Sequence, residues 1–366
     1  MTSEQAQTPS LPQDTGTAAF LGETQIEGVQ PLDAQIGVDA PKTVPDALQE
    51  LLFGQPAATP DETAAAGGDA SALPALTTYA VLDAGKVANL PDLLEGSGLD
   101  HRCLFKGAAE EELKTVAPWL VQIEEGNRFS RNLFTAGDAP WQLWDKAPGL
   151  ILRTRAGFEE VWKHLRHFTR VRGPADEWLY WRFWESGALA VLLSSWRQNP
   201  EKAAAFMSLR TKAGRMPITF LCTSETAGEL RALTPALAGM APQANAPFAL
   251  SKDDRRVLSH WRAHRFDRQL LASLCATYPR LAQARSDQAT AWMATVIAGA
   301  ENAELRQERA IEDFAHSAYL LSDDPTRHGE TMHYLKDRTL HPNDRARLAR
   351  RAAEAYVRTR SKETQP

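Results

Sequence analysis

The chain has 366 residues, 43% of them hydrophobic, with a formal charge of −5; the length suits two or three domains and the composition excludes wholesale disorder. No run of eighteen or so apolar residues occurs, which excludes a bilayer-spanning segment, and the opening MTSEQAQTPSLPQDTG lacks the basic and apolar parts of a secretory signal, so a cytoplasmic protein is expected. The charge is unevenly spread: residues 1–76 hold 11 Asp and Glu against Lys42 alone, leaving a mildly basic remainder, too weakly charged to imply nucleic acid.

Residues 1–76 are rich in Ala, Thr, Gln, Pro, Gly and Asp and contain no Trp, Tyr or Cys. Such a segment buries too little apolar surface to offset its ordering entropy, which predicts a disordered acidic tail. One island, Leu48–Phe53, places Leu48, Leu51 and Leu52 on one side of a short helix. A helix that short is marginal alone; the island is either a chance cluster or a segment that folds against a partner.

From Thr77 the pattern changes. Thr78–Leu82, His101–Phe105, Trp119–Ile123 and Gly149–Thr154 read as strands, with a short helix at Asn89–Glu95 and an acidic helical turn in AAEEEL. Phe158, Val161, Trp162 and Leu165 recur at helical spacing and predict a helix over Phe158–Phe168. Trp178–Trp184 is aromatic at almost every position, which predicts a strand covered on both faces with Arg182 paired inside it. Leu189, Leu192, Leu193 and Trp196 mark another helix, and Ile218–Cys222 the last strand.

Beyond Ser251 the periodicity is helical throughout. A long helix through Val257–Leu274 ends near Pro279, and further helices are expected at Ala289–Ala300, Ala303–Leu321, Thr326–Thr339 and Asp344–Arg360, with Ser251 and Asn343 as N-caps. The pattern predicts an α/β N-terminal lobe (a mixed sheet with flanking helices) followed by an all-α C-terminal lobe, behind the disordered N-terminal tail. The boundaries are a tail over 1–76, an α/β domain over 77–240 and a helical lobe over 250–360.

Signatures of chemistry are sparse. The chain has no phosphate-binding GxxxxGK[ST], dinucleotide-binding GxGxxG, nucleophile-elbow GxSxG or zinc-binding HExxH. His164 and His167 share a helix face without a third ligand at suggestive spacing, and His328 and His333 do no better. Cys103, Cys222 and Cys275 stand among apolar neighbours and read as buried free thiols. Asp253-Asp254 and Asp323-Asp324 read as first-turn helix acids, and the arginines from Arg345 to Arg360 as a solvated face. No metal and no cofactor is expected. Tryptophan is the exception to this plainness: eight of ten lie between Trp119 and Trp196, and Trp serves both cores and binding hot spots.

Within this region YAVLDAGKVANLPDLLEGSG, CLFKGAAEEELKTVAPWLVQI, Gly149-Leu150-Ile151-Leu152 with the helix ending His164-Leu165-Arg166, and Tyr180-Trp181-Arg182-Phe183-Trp184 follow one another in order. Tyr79–Trp196 thereby resembles the type VI secretion effector adaptors, also called effector chaperones (domain of unknown function 4123). One departure stands after the aromatic stretch, where Glu185-Ser186-Gly187 replaces the Asp-Pro-Arg turn frequent in the family.

The resemblance implies a non-enzymatic cytoplasmic protein that binds a toxin effector and helps to load it onto the VgrG spike, with no nucleic-acid or membrane partner. Trp141, Trp144, Trp178, Arg182 and Trp184 are the candidate partner-binding residues, and the expected binding surface is the meeting of the two lobes. The alternatives are an enzyme of unrecognised type, such as a hydrolase using the inter-lobe cleft, and a nucleic-acid-binding regulator using the basic last helix.

Overall fold

The computed structural model describes residues 20–224, 228–237 and 248–363. The chain divides into two compact units, Met1–Leu258 and Ser259–Pro366. The first contains, in order, β1 (Leu21–Ile26), α1 (Asp46–Phe53), α2 (Pro60–Ala65), β2 (Thr77–Asp83), α3 (Leu90–Glu95), β3 (His101–Cys103), α4 (Ala108–Leu113) and β4 (Pro118–Ile123). It continues with α5 (Arg128–Leu133), β5 (Gly149–Thr154), α6 (Phe158–His167), β6 (Arg170–Arg172), β7 (Trp178–Tyr180), α7 (Ser186–Ser195) and α8 (Pro200–Met207). β8 (Ser208–Thr211), β9 (Gly214–Pro217), β10 (Thr219–Thr223) and β11 (Leu230–Pro235) complete it. The division falls inside α9 (Lys252–Thr277), which is followed by α10 (Pro279–Ala282), α11 (Ser286–Asn302), α12 (Glu308–Leu321), α13 (Gly329–Lys336) and α14 (Pro342–Glu363).

Seven strands form the main sheet in the order β1-β11-β10-β5-β2-β4-β3. Each named pairing is antiparallel, and parallel pairing is confined, among the described residues, to single bridges at Leu32–Thr135 and Arg172–Ala249. Alternation along the strands feeds two cores. Tyr79, Val81, Leu120, Leu150, Leu152 and Phe220 point to one face, where α6 and α7 supply Val161, Leu165, Leu189 and Leu193. Ala80, Leu82, Val121, Ile123 and Leu221 point to the other, covered by residues of α1, α3 and α5. Gly149 permits the close approach of β5 to β2, because a Cβ there would lie 1.9 Å from the Val81 carbonyl oxygen.

The expected disorder through residue 76 is corrected for residues 20–76; residues 1–19 lie outside the described residues. β1 pairs with β11 from Leu21 to Ile26. The Leu48–Phe53 island folds against its own chain as α1, with Leu48 and Leu52 buried in the second core. Arg153 in β5 and Arg155 just beyond its end fasten α1, α2 and the chain around them. Arg153 donates to the carbonyls of Leu51 (2.5 Å) and Gly54 (2.7 Å), satisfying the end of α1. Arg155 donates to Pro74 and Pro56 and forms a buried ion pair with Glu62 of α2 at 3.1 Å. Composition could not signal this order, since the anchors lie some 80–100 residues away.

Three further expectations change. Ile218–Cys222 is not the last strand: β11 comes after it, and the β8–β9 hairpin precedes it. The strand over Trp178–Trp184 stops at Tyr180, and Trp181–Trp184 form a turn whose Trp181, Phe183 and Trp184 enter the first core. Asn343 is not an N-cap, because α14 begins at Pro342.

In the second unit, Leu270, Leu274, Met293, Val296, Phe314 and Leu335 share a core with Ala346 and Ala349 of α14. The helix expected from Ala303 starts instead at Glu308, because Glu304 turns left-handed (φ 60°) and Leu305 N closes α11 on the Ala300 carbonyl. Arg345, expected on a solvated face, is buried and donates to the Leu335 carbonyl at 3.1 Å. Arg350 pairs with Asp313 and Glu354, and Arg347 with Asp344, so much of the arginine stripe is already engaged.

Candidate functional site

β6 and β7 form a two-stranded hairpin beside α6, with Arg170 opposite Tyr180, Val171 opposite Leu179 and Arg172 opposite Trp178. The period of two gives it an apolar and a polar face. Val171 is buried in the first core and Leu179 packs against it. On the opposite face Trp178 is 48% and Tyr180 68% exposed. The guanidinium of Arg172 lies 4.0 Å and that of Arg170 4.6 Å from the centre of the Trp178 ring, cation–π distances that hold the indole upright on the surface. Phe105 meets the Tyr180 ring edge-on at 6.1 Å. Trp178, Tyr180, Arg170 and Phe105, with Lys106, Arg166 and Phe248, line a groove of about 440 Å³.

The five candidate residues separate. Trp178 lies on this groove. Arg182 is corrected from buried to exposed: its side chain is 57% accessible, yet it pairs at 2.6 Å with Asp83, whose side chain is 3% accessible. Trp184 is buried and donates Nε1–H to the same Asp83 oxygen at 3.2 Å; it holds the turn and offers no surface. Trp141 is 49% exposed. Trp144 is half-buried, with its ring 6.4 Å from Phe134, and lines an apolar cavity of about 280 Å³ with Leu82, Leu133, Leu221 and Leu230. Of the five, Trp178 and Trp141 present large aromatic surface; Tyr180 was missed as a site residue although its alternation with Trp178 was legible.

The groups most suited to chemistry are committed elsewhere. His164 donates Nε2–H to the Phe206 carbonyl at 2.8 Å, and burial pushes its pKa down to about 4. Burial pushes the Cys103 thiol up to about 11 and the Cys222 thiol to about 12, so neither is a thiolate at neutral pH. Asp254 stands in the first turn of α9, as expected, and is buried there. Burial would raise its pKa, but bonds from Lys202, from Trp196 Nε1 at 2.7 Å and from Ser251 N at 2.6 Å hold it below the ordinary carboxylate range. It fastens the start of α9 to Trp196 and to α8. Among the described residues no group of three or more His, Cys, Asp or Glu is placed to hold a metal ion, and no helix is long and apolar enough to cross a membrane.

No curated protein and no solved structure matches the chain. Residues 78–205, from β2 through α8, match the family model described as a domain of unknown function, DUF4123, and the β6–β7 hairpin with its exposed aromatics lies inside that stretch.

Proposed function

We propose that this chain is a non-enzymatic adaptor of type VI secretion, which binds a toxin effector in the cytoplasm and helps to load it onto the VgrG spike. The observation that carries the reading is the match of residues 78–205 to DUF4123, a family associated with effector adaptors of that system. The matched stretch includes a rigid aromatic and cationic face, the kind of surface that supplies binding energy at low entropic cost. An adaptor needs such a face and no catalytic constellation.

The test is co-expression of the full chain with the toxin encoded beside it and, separately, with the neighbouring spike protein, then purification through a tag on one partner. Co-elution of the effector as a stable complex in size exclusion is the expected result. If neither effector nor spike protein is retained, the adaptor reading fails.

A further inference from the structure

The backbone of β7 has an unused side. The Trp181 amide bonds to the Thr169 carbonyl at 3.0 Å and the Gly173 amide to the Glu177 carbonyl at 2.8 Å. Bonded pairs alternate along an antiparallel ladder, so Val171 and Leu179 form the bonded pair between them. The amides and carbonyls of residues 170, 172, 178 and 180 therefore point outward. On the β6 side Arg172 is satisfied: Arg172 N donates to the Phe248 carbonyl at 3.1 Å and Leu250 N to the Arg172 carbonyl at 2.8 Å. On the β7 side the corresponding groups of Trp178 and Tyr180 have no partner among the described residues. An exposed strand edge of this kind is a template for another chain.

Charge identifies the occupant. Arg166, Arg170 and Lys106 line the groove and have no carboxylate partner among the described residues, while Asp176 and Glu177 are paired with Arg172 and Arg255. The outer edge of β1 is different in kind: its Glu23 is paired with Arg197 and Arg231, and its middle residues are polar. Of these two edges, β7 combines free backbone groups, upright aromatic rings and uncompensated cations.

We propose that the free edge of β7 receives an extended, acidic segment of the partner protein as an added strand. The main-chain groups of Trp178 and Tyr180 hydrogen-bond the incoming backbone, and carboxylates at alternate positions reach Arg166, Arg170 and Lys106. The side chains between them point to the opposite face of the hairpin, the face of Leu179. The identity of the partner as an effector rests on the adaptor reading; the docking mode rests on the hairpin.

The probe is a fluorescein-labelled peptide of about ten residues alternating glutamate with valine, titrated into the full chain by fluorescence anisotropy. A peptide with lysine in place of glutamate and a single-stranded oligonucleotide of similar length serve as comparisons. Saturable binding of the glutamate peptide is expected, weakened about tenfold or more by lysine in the peptide or by Arg170→Glu in the protein. Tyr180→Pro removes an outward amide at an edge position where proline is tolerated and should abolish binding; Arg170→Glu, on the exposed face, keeps the test valid if the proline variant misfolds. Amide exchange at Trp178 and Tyr180 should be fast in the free chain and slowed by the peptide. Protection of these amides already in the free chain, binding of the oligonucleotide in preference to the peptide, or no peptide binding would overturn the proposal. The two readings fail separately: an effector captured equally well by Arg170→Glu leaves the adaptor reading intact and removes the strand-addition mode. Peptide binding without effector capture does the reverse.

Discussion

Arg155 and Glu62 form an ion pair at 3.1 Å with side chains only 8% and 7% accessible, joining the end of β5 to α2 across more than 90 residues of sequence. The desolvation of both charges is offset only while they remain together, so loss of one partner is costly. Glu62→Ala, which strands the guanidinium, is expected to destabilise the fold by about 3 kcal/mol, measured as a shift of the urea midpoint. Deletion of residues 1–76 should cost more, because it also strips Leu48 and Leu52 from the second core. A fragment beginning at Thr77 with the full-length melting temperature would refute the role assigned to this segment.

Asp83 accepts from Arg182, from Trp184 and, through its other oxygen, from Gly85 N at 2.9 Å. Because Arg182 is exposed and two other donors remain, Arg182→Leu should cost only about 1 kcal/mol. Asp83→Ala should cost about 2 kcal/mol or more, since it leaves the buried Trp184 N–H unpaired. Chemical denaturation of both variants ranks them, and equal losses would contradict the assigned hierarchy.

Stability should fall in mild acid. The folded chain keeps His164 neutral down to about pH 4 because burial disfavours the imidazolium, whereas an unfolded imidazole protonates near its reference value of 6.5. Between those values the unfolded state binds more protons. Stability is thus complete above about pH 6.5 and declines towards pH 4, by at most about 3 kcal/mol. His316, lowered by burial and by Arg350, acts in the same direction. Comparison of urea midpoints at several values in this range should show a shallower decline for His164→Gln, which retains an N–H for the Phe206 carbonyl; an identical slope would count against the assignment.

Trp141 and Trp144 should not behave as a pair. Trp144→Ala removes packing from the second core and is expected to lower stability by about 2 kcal/mol, while Trp141→Ala should leave the melting curve nearly unchanged. A thermal melt of each single variant separates them. Any loss of effector capture in Trp141→Ala alone would then report on contact with the partner and not on folding.

Local pattern made much of this protein legible. Runs rich in aromatic and β-branched residues announced β2, β4 and β5, and the spacing of Phe158, Val161, Trp162 and Leu165 announced α6, because residue preference and side-chain period both derive from backbone geometry. The division of the aromatics between core and surface was not legible. Trp178 and Trp184 occupy one parity of the same aromatic run, yet the backbone leaves the strand after Tyr180, so one indole stands on the surface and the other is buried on Asp83. Residues 20–76 mark the same limit. Their composition is that of a solvated tail, and their order comes from a strand partner in β11 and from Arg153 and Arg155 at the end of β5. Composition measures what a segment can bury by itself; whether it folds depends on what distant residues offer it, and that is decided only when the chain closes on itself.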